Sequence, residues 1–171
     1  MSAKPSRILG IAPNSRGFGW VVFDAPFNAR DFGMAFVRSD KNDRCLRHYE
    51  RLLDWIEPET VVLEEGSPKV HRLRDLHHAL RVSASLRDIE IASYRRADIQ
   101  RCFATVGAQT NQEIAEAVAK QVPGLAHKLP RRRVAWTSED RRQTLFWAAA
   151  LVITHFHDNG DQFLQGLKRA A

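Results

Sequence analysis

The sequence predicts an α/β domain of three layers, in which helices cover both faces of a five-stranded mixed sheet. Two observations lead to this prediction. The first forty residues alternate apolar with small or polar positions between turn residues, which is typical of a three-stranded antiparallel meander. The rest of the chain alternates segments of helical period with apolar runs of strand length, which is typical of parallel strands joined by helices.

Three strands form the predicted meander. They cover residues 7–12 (RILGIA), 17–24 (GFGWVVFD) and 32–38 (FGMAFVR). Pro13 and Asn14 follow the first strand, and Pro26 follows the second, so each connection contains a turn signal. Short connections between consecutive strands favour antiparallel pairing.

Helices and further strands alternate after residue 40. Apolar residues recur at a period near 3.6 over 43–57, 70–87, 111–122 and 139–157, and these segments are predicted helices. The last helix has Ser138 as its expected N-cap. Strands are predicted at 60–64 (TVVLE) and 89–94, and the β-branched run of the former is typical of burial on both faces. Residues 1–171 are predicted to form a single domain with a short C-terminal tail from about residue 158.

Composition and charge exclude several classes of protein. The 171 residues include 26 Lys and Arg against 20 Asp and Glu, a formal net charge of +6, and 44% are hydrophobic, which excludes a disordered or collagen-like chain. Two distant cysteines form no CxxC pair, which excludes a disulfide scaffold and fits a reducing, cytoplasmic location. The longest apolar run, 145–153, is about half of the ~20 residues that span a bilayer, so no membrane partner is expected. The positive charge is compatible with an anionic partner such as nucleic acid.

The carboxyl ends of the first and fourth strands are the expected location of a functional site. If these strands are neighbours, Ala12 and Glu64 face one another at that edge of the sheet. A carboxylate at the end of a buried strand is costly unless it pairs with a cation or a metal. Glu64 is therefore a candidate metal ligand or general base. The alternative is that the strand has simply reached solvent, or that Glu65 holds a nearby arginine.

Two basic segments are candidate phosphate-binding surfaces. The helix after Glu64 is rich in positive residues, and Arg74, His78 and Arg81 fall on one of its faces. Such a face neutralises phosphates, although a solvated helix face gives the same pattern. Residues 131–136 combine three arginines with a tryptophan, as single-strand or junction binders often do. The full set of candidate nucleic-acid-binding residues is Lys69, Arg72, Arg74, His78, Arg81, Arg95, Arg96, Arg131, Arg132, Arg133 and Trp136.

Other reactive side chains are interpreted without a catalytic role. His155 and His157 lie two positions apart on the predicted last helix, so they cannot both face one metal, and both are interpreted as cap or surface residues. Ser15 has no evident base beside it, and the two cysteines lie in helical patterns, so none is interpreted as a nucleophile.

Four segments, in the same order along the chain, resemble the motifs of one protein family. Residues 8–23 (ILGIAPNSRGFGWVVF) are similar to an opening strand that is apolar, ends in Asp-Pro-Gly-Ser and continues with Gly-Trp or Gly-Tyr. Residues 60–66 (TVVLEEG) resemble a strand that ends in a catalytic glutamate, which Glu64 matches. Residues 93–118 and 146–155 resemble a tyrosine/arginine strand end with its short helix, glycine turn and following helix, and a last helix. The family is that of the RuvC-type Holliday-junction resolvases. The resemblance implies an RNase H-like fold and metal-dependent cleavage of branched DNA by a homodimer.

Two acids of this family are replaced. The first-strand aspartate falls on Ala12, and the acid of the last helix falls on Trp147, with Thr144 one turn earlier. The opening Ala-Pro-x-Ser-Arg-Gly-Phe-Gly and the triplet at 138–140 also resemble a looser group of RuvC-like proteins, which implies that Ala12 is native. Two-metal hydrolysis holds two Mg²⁺ ions between shared carboxylates, and Ala12 supplies no side-chain oxygen. Two-metal catalysis is therefore disfavoured.

The sequence thus predicts a RuvC-like protein that binds branched or structured DNA and has lost the standard nuclease site. The first alternative is an active junction endonuclease with a rearranged acidic site and Mg²⁺ or Mn²⁺ as cofactor. Its candidate catalytic residues are Glu64, Glu65, Glu139 and Asp140, and its candidate metal ligands are Glu64, Glu139 and Asp140. The second alternative, from another class, is a non-catalytic protein-interaction subunit.

Overall fold

The central feature of the fold is one five-stranded sheet, seen in a computed structural model that describes residues 6–66, 69–132 and 140–170, with side chains up to residue 160. The strands are β1 (Ile8–Pro13), β2 (Gly17–Ala25), β3 (Asn28–Phe36), β4 (Thr60–Glu64) and β5 (Glu90–Tyr94). Their order across the sheet is β3-β2-β1-β4-β5. β1, β2 and β3 pair antiparallel, while β4 pairs in parallel with both β1 and β5. The predicted mixed sheet, with its meander and parallel strands, is confirmed.

Helices cover both faces of this sheet, as the three-layer prediction requires. One face carries α1 (Lys41–Ile56) and α2 (His71–Ser85). The other face carries α3 (Arg96–Ala104), α4 (Asn111–Gln121), a 3₁₀ turn (Pro123–Lys128) and the long helix α5 (Gln143–Ala170). Within the described residues, no helix is both long and apolar enough to span a membrane.

The central strands alternate their side chains between two hydrophobic cores. Leu9 of β1 and Leu63 of β4 pack in the core beneath α1 and α2. Ala12 and Val62 pack in the core beneath α5. Because successive side chains of a strand point to opposite faces, Glu64 projects on the same side as Val62, toward α5.

Two glycines allow α5 to lie directly against the sheet. A Cβ atom on Gly10 would lie 2.5 Å from the carbonyl oxygen of Ala148, and one on Gly19 would lie 2.7 Å from the backbone nitrogen of Leu145. Contacts this short are not tolerated between real atoms, so a side chain at either position would force the helix away. The close approach sets the first turns of α5, including Trp147, beside the carboxyl ends of β1 and β4.

The two helices on the α5 face differ most from their prediction. The apolar pattern predicts the last helix at 139–157, whereas α5 begins at Gln143 and continues past residue 158 to Ala170. The expected N-cap, Ser138, lies outside the described residues. Periodicity indicates no helix over α3, although the family resemblance implies a short one there. α3 buries only Ile99 and Phe103, which is too few apolar residues to produce a periodic signal.

Candidate functional site

A cleft of about 380 Å³ opens at the carboxyl ends of β1 and β4. The two strands pair in parallel with Gly10 opposite Val62, and continuing that register sets Ala12 opposite Glu64. Both residues line the cleft. The remaining walls come from the β1–β2 turn, the starts of α3 and α4, and the residues at the beginning of α5.

The carboxylate of Glu64 is bonded inside the cleft. Its Oε2 atom accepts a 2.8 Å hydrogen bond from the indole Nε1 of Trp147. The guanidinium of Arg96 lies over the indole ring, 4.8 Å from the ring centroid. Arg96 also donates a 2.7 Å hydrogen bond to Oδ1 of Asn111. An aromatic side chain therefore fills the position at which the family resemblance places an acid.

The second acid of the cleft, Asp140, is paired with Arg142. The guanidinium donates from Nε to Oδ1 at 3.0 Å and from Nη2 to Oδ2 at 2.7 Å, and the Arg142 backbone N–H donates to Oδ1 at 2.9 Å. These hydrogen bonds stabilise the ionised form and hold the pKa of Asp140 below its usual value, the side-chain bond from Arg142 being the main cause. Glu65 is exposed, and its carboxylate lies 3.8 Å from the Arg95 guanidinium. Glu139 lies outside the described residues.

The donor set of the cleft does not fit a pair of metal ions. Among the described lining residues, Glu64 and Asp140 are the acids, and Ala12 contributes a methyl group. Nowhere in 6–66, 69–132 or 140–160 do three His, Cys, Asp or Glu side chains come close enough to hold one metal ion. A two-metal hydrolytic centre needs several shared carboxylates around near-octahedral Mg²⁺. The two described carboxylates of this cleft, those of Glu64 and Asp140, are instead bonded to an indole and to a guanidinium.

The β1–β2 turn is anchored by cations from both helices of the opposite layer. Arg72 of α2 donates to the carbonyl oxygens of Asn14 and Ser15 at 3.4 and 3.3 Å, and Lys41 of α1 donates to that of Ser15 at 2.9 Å. The side chain of Asn14 accepts from two backbone N–H groups of the turn, at 2.8 and 2.9 Å. Arg72 thus contacts the wall of the cleft from the side of the sheet that α1 and α2 cover.

The other predicted binding residues near α2 lie outside the cleft. Lys69, Arg74 and His78 are exposed, and Arg81 is half-buried. None of the four lines the cleft. The reason is that α2 packs on the face of the sheet opposite to α5. The basic face of α2 is therefore a surface separate from the Glu64 site.

The predicted arginines of the α5 layer differ in their surroundings. Arg131 lines a groove that shares Arg96 and Asp140 with the cleft. Arg132 forms two hydrogen bonds with the carboxylate of Glu116, at 3.0 and 3.1 Å. Two of the predicted residues lie outside the described ranges, namely Arg133 and Trp136.

Arg16 and Arg141 also line the cleft, and the sequence reasoning missed both. The sequence contained an indication for Arg16, because Arg16 lies in the turn that directly follows the first strand, and the carboxyl end of that strand is the expected location of the site. Arg141 lies just before α5, and the pattern that predicted that helix did not fix where it begins. The Arg141 guanidinium lies 5.4 Å from the ring centroid of Phe36, at the end of β3. The cleft also contains Thr144, whose hydroxyl donates a 2.7 Å bond to the Ala12 carbonyl oxygen.

The interpretation of His155 as a cap or surface residue is wrong. His155 is buried in α5, where its ring nitrogens lie 2.8 Å from Tyr94 Oη and 3.0 Å from Asn159 Nδ2. Desolvation by burial lowers the pKa of His155 and, aided by the nearby Asp158, raises the pKa of Tyr94 to about 12. Neither Tyr94 nor His155 lines the cleft.

The strand order, the two helical layers and the cleft beside β1 and β4 define an RNase H-like α/β fold. Among solved structures, the chain is similar to Thermus thermophilus RuvC, with a TM-score of 0.65 and 18% identity over 87% of this chain and 92% of that one. It is also similar to T. thermophilus RuvC in complex with a Holliday junction substrate, with a TM-score of 0.66 and 17% identity over 91% and 96%. No protein-family model and no curated protein matches the sequence. At these identities the likeness establishes the fold, and the predicted RuvC-like, RNase H-like architecture is confirmed.

Proposed function

We propose that this protein binds branched or structured DNA with a RuvC-like domain and does not cleave it. The hydrogen bond from Trp147 to Glu64 carries the proposal. It joins the family's one retained acid to an aromatic side chain, while Ala12 replaces the acid of the neighbouring strand. Among the described residues, a phosphodiester that enters such a cleft meets no ligand set for the metal ions that would activate water.

The similarity in fold and the net charge both support branched DNA as the partner. The similar T. thermophilus RuvC has been solved with a Holliday junction substrate, and the fold extends over nearly the whole of both chains. The net charge of +6 favours a polyanionic partner. Homodimerisation and a cytoplasmic location are further parts of this proposal, supported by the family resemblance and by the cysteine content respectively.

Incubation with a four-way DNA junction in Mg²⁺ or Mn²⁺ tests the proposal. We expect the junction to be retarded in a native gel and to run uncut in a denaturing gel. The variants Glu64→Gln and Glu65→Gln provide a matched pair, because both remove one carboxylate and only Glu64 lines the cleft. Cutting by the parent protein that Glu64→Gln abolishes and Glu65→Gln retains would overturn the proposal.

A rearranged endonuclease is the second candidate, because Asp140 lines the same cleft as Glu64. For Asp140 to bind a metal ion, its carboxylate would have to exchange the Arg142 guanidinium for the cation. Calorimetric titration with Mn²⁺ tests this candidate, which requires binding that Asp140→Asn removes. If the protein neither cuts nor binds a junction at low salt, the interaction-subunit interpretation stands.

A further inference from the structure

We infer that the cleft itself holds a DNA phosphodiester through Arg16, Arg96 and Arg141, with no metal ion. This inference rests on the proposed function and assigns the place and the chemistry of phosphate binding. The three arginines come from separate segments, namely the β1–β2 turn, the start of α3 and the residue pair before α5, and they line one cleft.

These three arginines have no acidic partner among the described residues, in contrast to Arg95 and Arg142. Within the described part of the chain, no carboxylate oxygen lies within 4.0 Å of any of the three guanidinium groups. Arg96 is bound by an amide oxygen and an aromatic face, and Arg141 by an aromatic face. The positive charge of each is therefore not offset by a described carboxylate, and all three side chains are exposed to solvent.

The charge balance of the cleft favours an anion. The negative charge of Asp140 is offset by its two-bond pair with Arg142. Glu64 is half-buried, and one of its oxygens already accepts the indole N–H. Among the described residues of the cleft, three guanidinium groups without a carboxylate partner thus oppose one remaining carboxylate. In a metal-dependent nuclease, bound cations offset the carboxylates and the phosphate together, whereas here side chains supply the positive charge.

The side chains that hold these arginines reduce the entropy lost on binding. The Asn111 amide and the Trp147 ring orient Arg96, and the Phe36 ring orients Arg141. The backbone N–H of Arg16 donates to Asn14 Oδ1 at 2.8 Å within the anchored turn. A guanidinium matches the two-oxygen geometry of a phosphodiester, and the restraint of the Arg96 and Arg141 side chains before binding increases affinity.

The test compares cleft arginines with exposed arginines outside the cleft. Arg16→Ala, Arg96→Ala and Arg141→Ala each remove one positive charge from the cleft, whereas Arg47→Ala and Arg101→Ala each remove one from an exposed residue that does not line it. Affinity for a four-way junction is measured against salt, in Mg²⁺ and in EDTA. Circular dichroism verifies that each variant is folded.

We expect the parent protein to bind equally well in Mg²⁺ and in EDTA. Each cleft variant should lose about tenfold in affinity and about one unit of the log–log salt slope, while the controls change affinity by less than about threefold. Equal losses in cleft and control variants, or binding that EDTA abolishes, would overturn this inference and leave the proposed function intact. Absence of junction binding by the parent protein at low salt overturns both.

Arginine Nε resonances provide a second measurement that requires no loss of a side chain. In an NMR titration with a short junction, the signals of Arg16, Arg96 and Arg141 should shift with bound DNA, and that of Arg101, which does not line the cleft, should stay in place. A bound junction that leaves the three cleft signals unmoved contradicts the inference.

Discussion

At the scale of single residues, Glu64 ends β4 inside the cleft, and the partner of its carboxylate is an indole. This partner has two consequences for the cleft. Trp147 carries no negative charge, and it provides an N–H donor and a ring face on which Arg96 rests. A hydrogen bond to a carboxylate is worth about 1.5–3 kcal/mol in typical proteins, so the indole stabilises Oε2 of Glu64 without a metal ion.

We expect metal binding to be restored by two substitutions made together, Ala12→Asp and Trp147→Asp. The double variant sets three carboxylates around the ends of β1 and β4, which is the ligand type that Mg²⁺ and Mn²⁺ prefer. Mn²⁺ titration calorimetry and junction cutting measure the gain, and each single variant serves as a control that should show neither. A folded double variant that binds no Mn²⁺ would contradict the view that this cleft has the geometry of a metal centre.

Two histidines, the buried His155 and the half-buried His77, should make stability depend on pH. Burial is the main cause that lowers the pKa of His155 and of His77, and Nδ1 of His77 is buried with no partner in the described residues. The unfolded chain, with histidine pKa values of about 6.5, then binds more protons than the folded protein below that pH. The free energy of unfolding should therefore be fully present above about pH 6.5 and fall as the pH drops below it.

Urea denaturation between about pH 7.5 and 5.5 measures this dependence. Each histidine contributes a slope of at most about 1.4 kcal/mol per pH unit, so His155→Gln and His77→Gln should each flatten the curve. Carboxyl groups with lowered pKa values, such as Asp140, change their protonation at lower pH and do not contribute to the slope measured in this range. An unchanged slope in both variants would show that folding does not lower the pKa of either histidine.

At the scale of secondary-structure elements, the sequence predicts the bounds best where burial requires a clear apolar pattern, either a continuous run or a helical period. β4 has the bounds of its apolar run, 60–64, because the strand is buried on both faces. α1 follows the stripe of Tyr49, Leu53 and Ile56 that packs beneath it. Helix ends and short helices contain few buried apolar residues and are therefore harder to predict, as α3 and the start of α5 show. Arg141 was missed for this reason, since its place depends on where α5 begins.

The packing of α5 on β1 should be sensitive to a single methyl group. Gly10→Ala places a Cβ 2.5 Å from the Ala148 carbonyl oxygen and 2.6 Å from a Val152 methyl carbon, so strand and helix must separate. We expect the free energy of unfolding to fall by about 1–3 kcal/mol, or more where the backbone cannot move. Gly124→Ala is the control, because nothing lies within 4 Å of its added Cβ. Equal stability of the two variants in urea denaturation would contradict the close approach.

At the scale of the whole molecule, two surfaces that carry positive charge lie apart from each other. One is the cleft, with its three arginines. The other is the outer face of α2, which lies in the opposite helical layer. Sequence spacing grouped Arg74, His78 and Arg81 on a helix face, but spacing alone does not show on which side of the sheet that helix packs. A junction that contacts both surfaces must extend around the sheet edge at the ends of β1 and β4.

Charge reversal on α2 tests whether this helix contacts DNA phosphates directly or affects DNA binding only through the net charge of the protein. Arg74→Glu combined with Arg81→Glu should weaken junction binding and lower the log–log salt slope by about two units, because two phosphate contacts are lost. The matched control is Arg47→Glu with Arg51→Glu on α1, which changes the net charge equally on an exposed face of the neighbouring helix. We expect the control pair to lower the affinity for the junction less than the α2 pair does and to leave the log–log salt slope unchanged. Equal effects of the two pairs would show that the α2 face makes no specific contact, leaving the cleft as the phosphate-binding surface of the molecule.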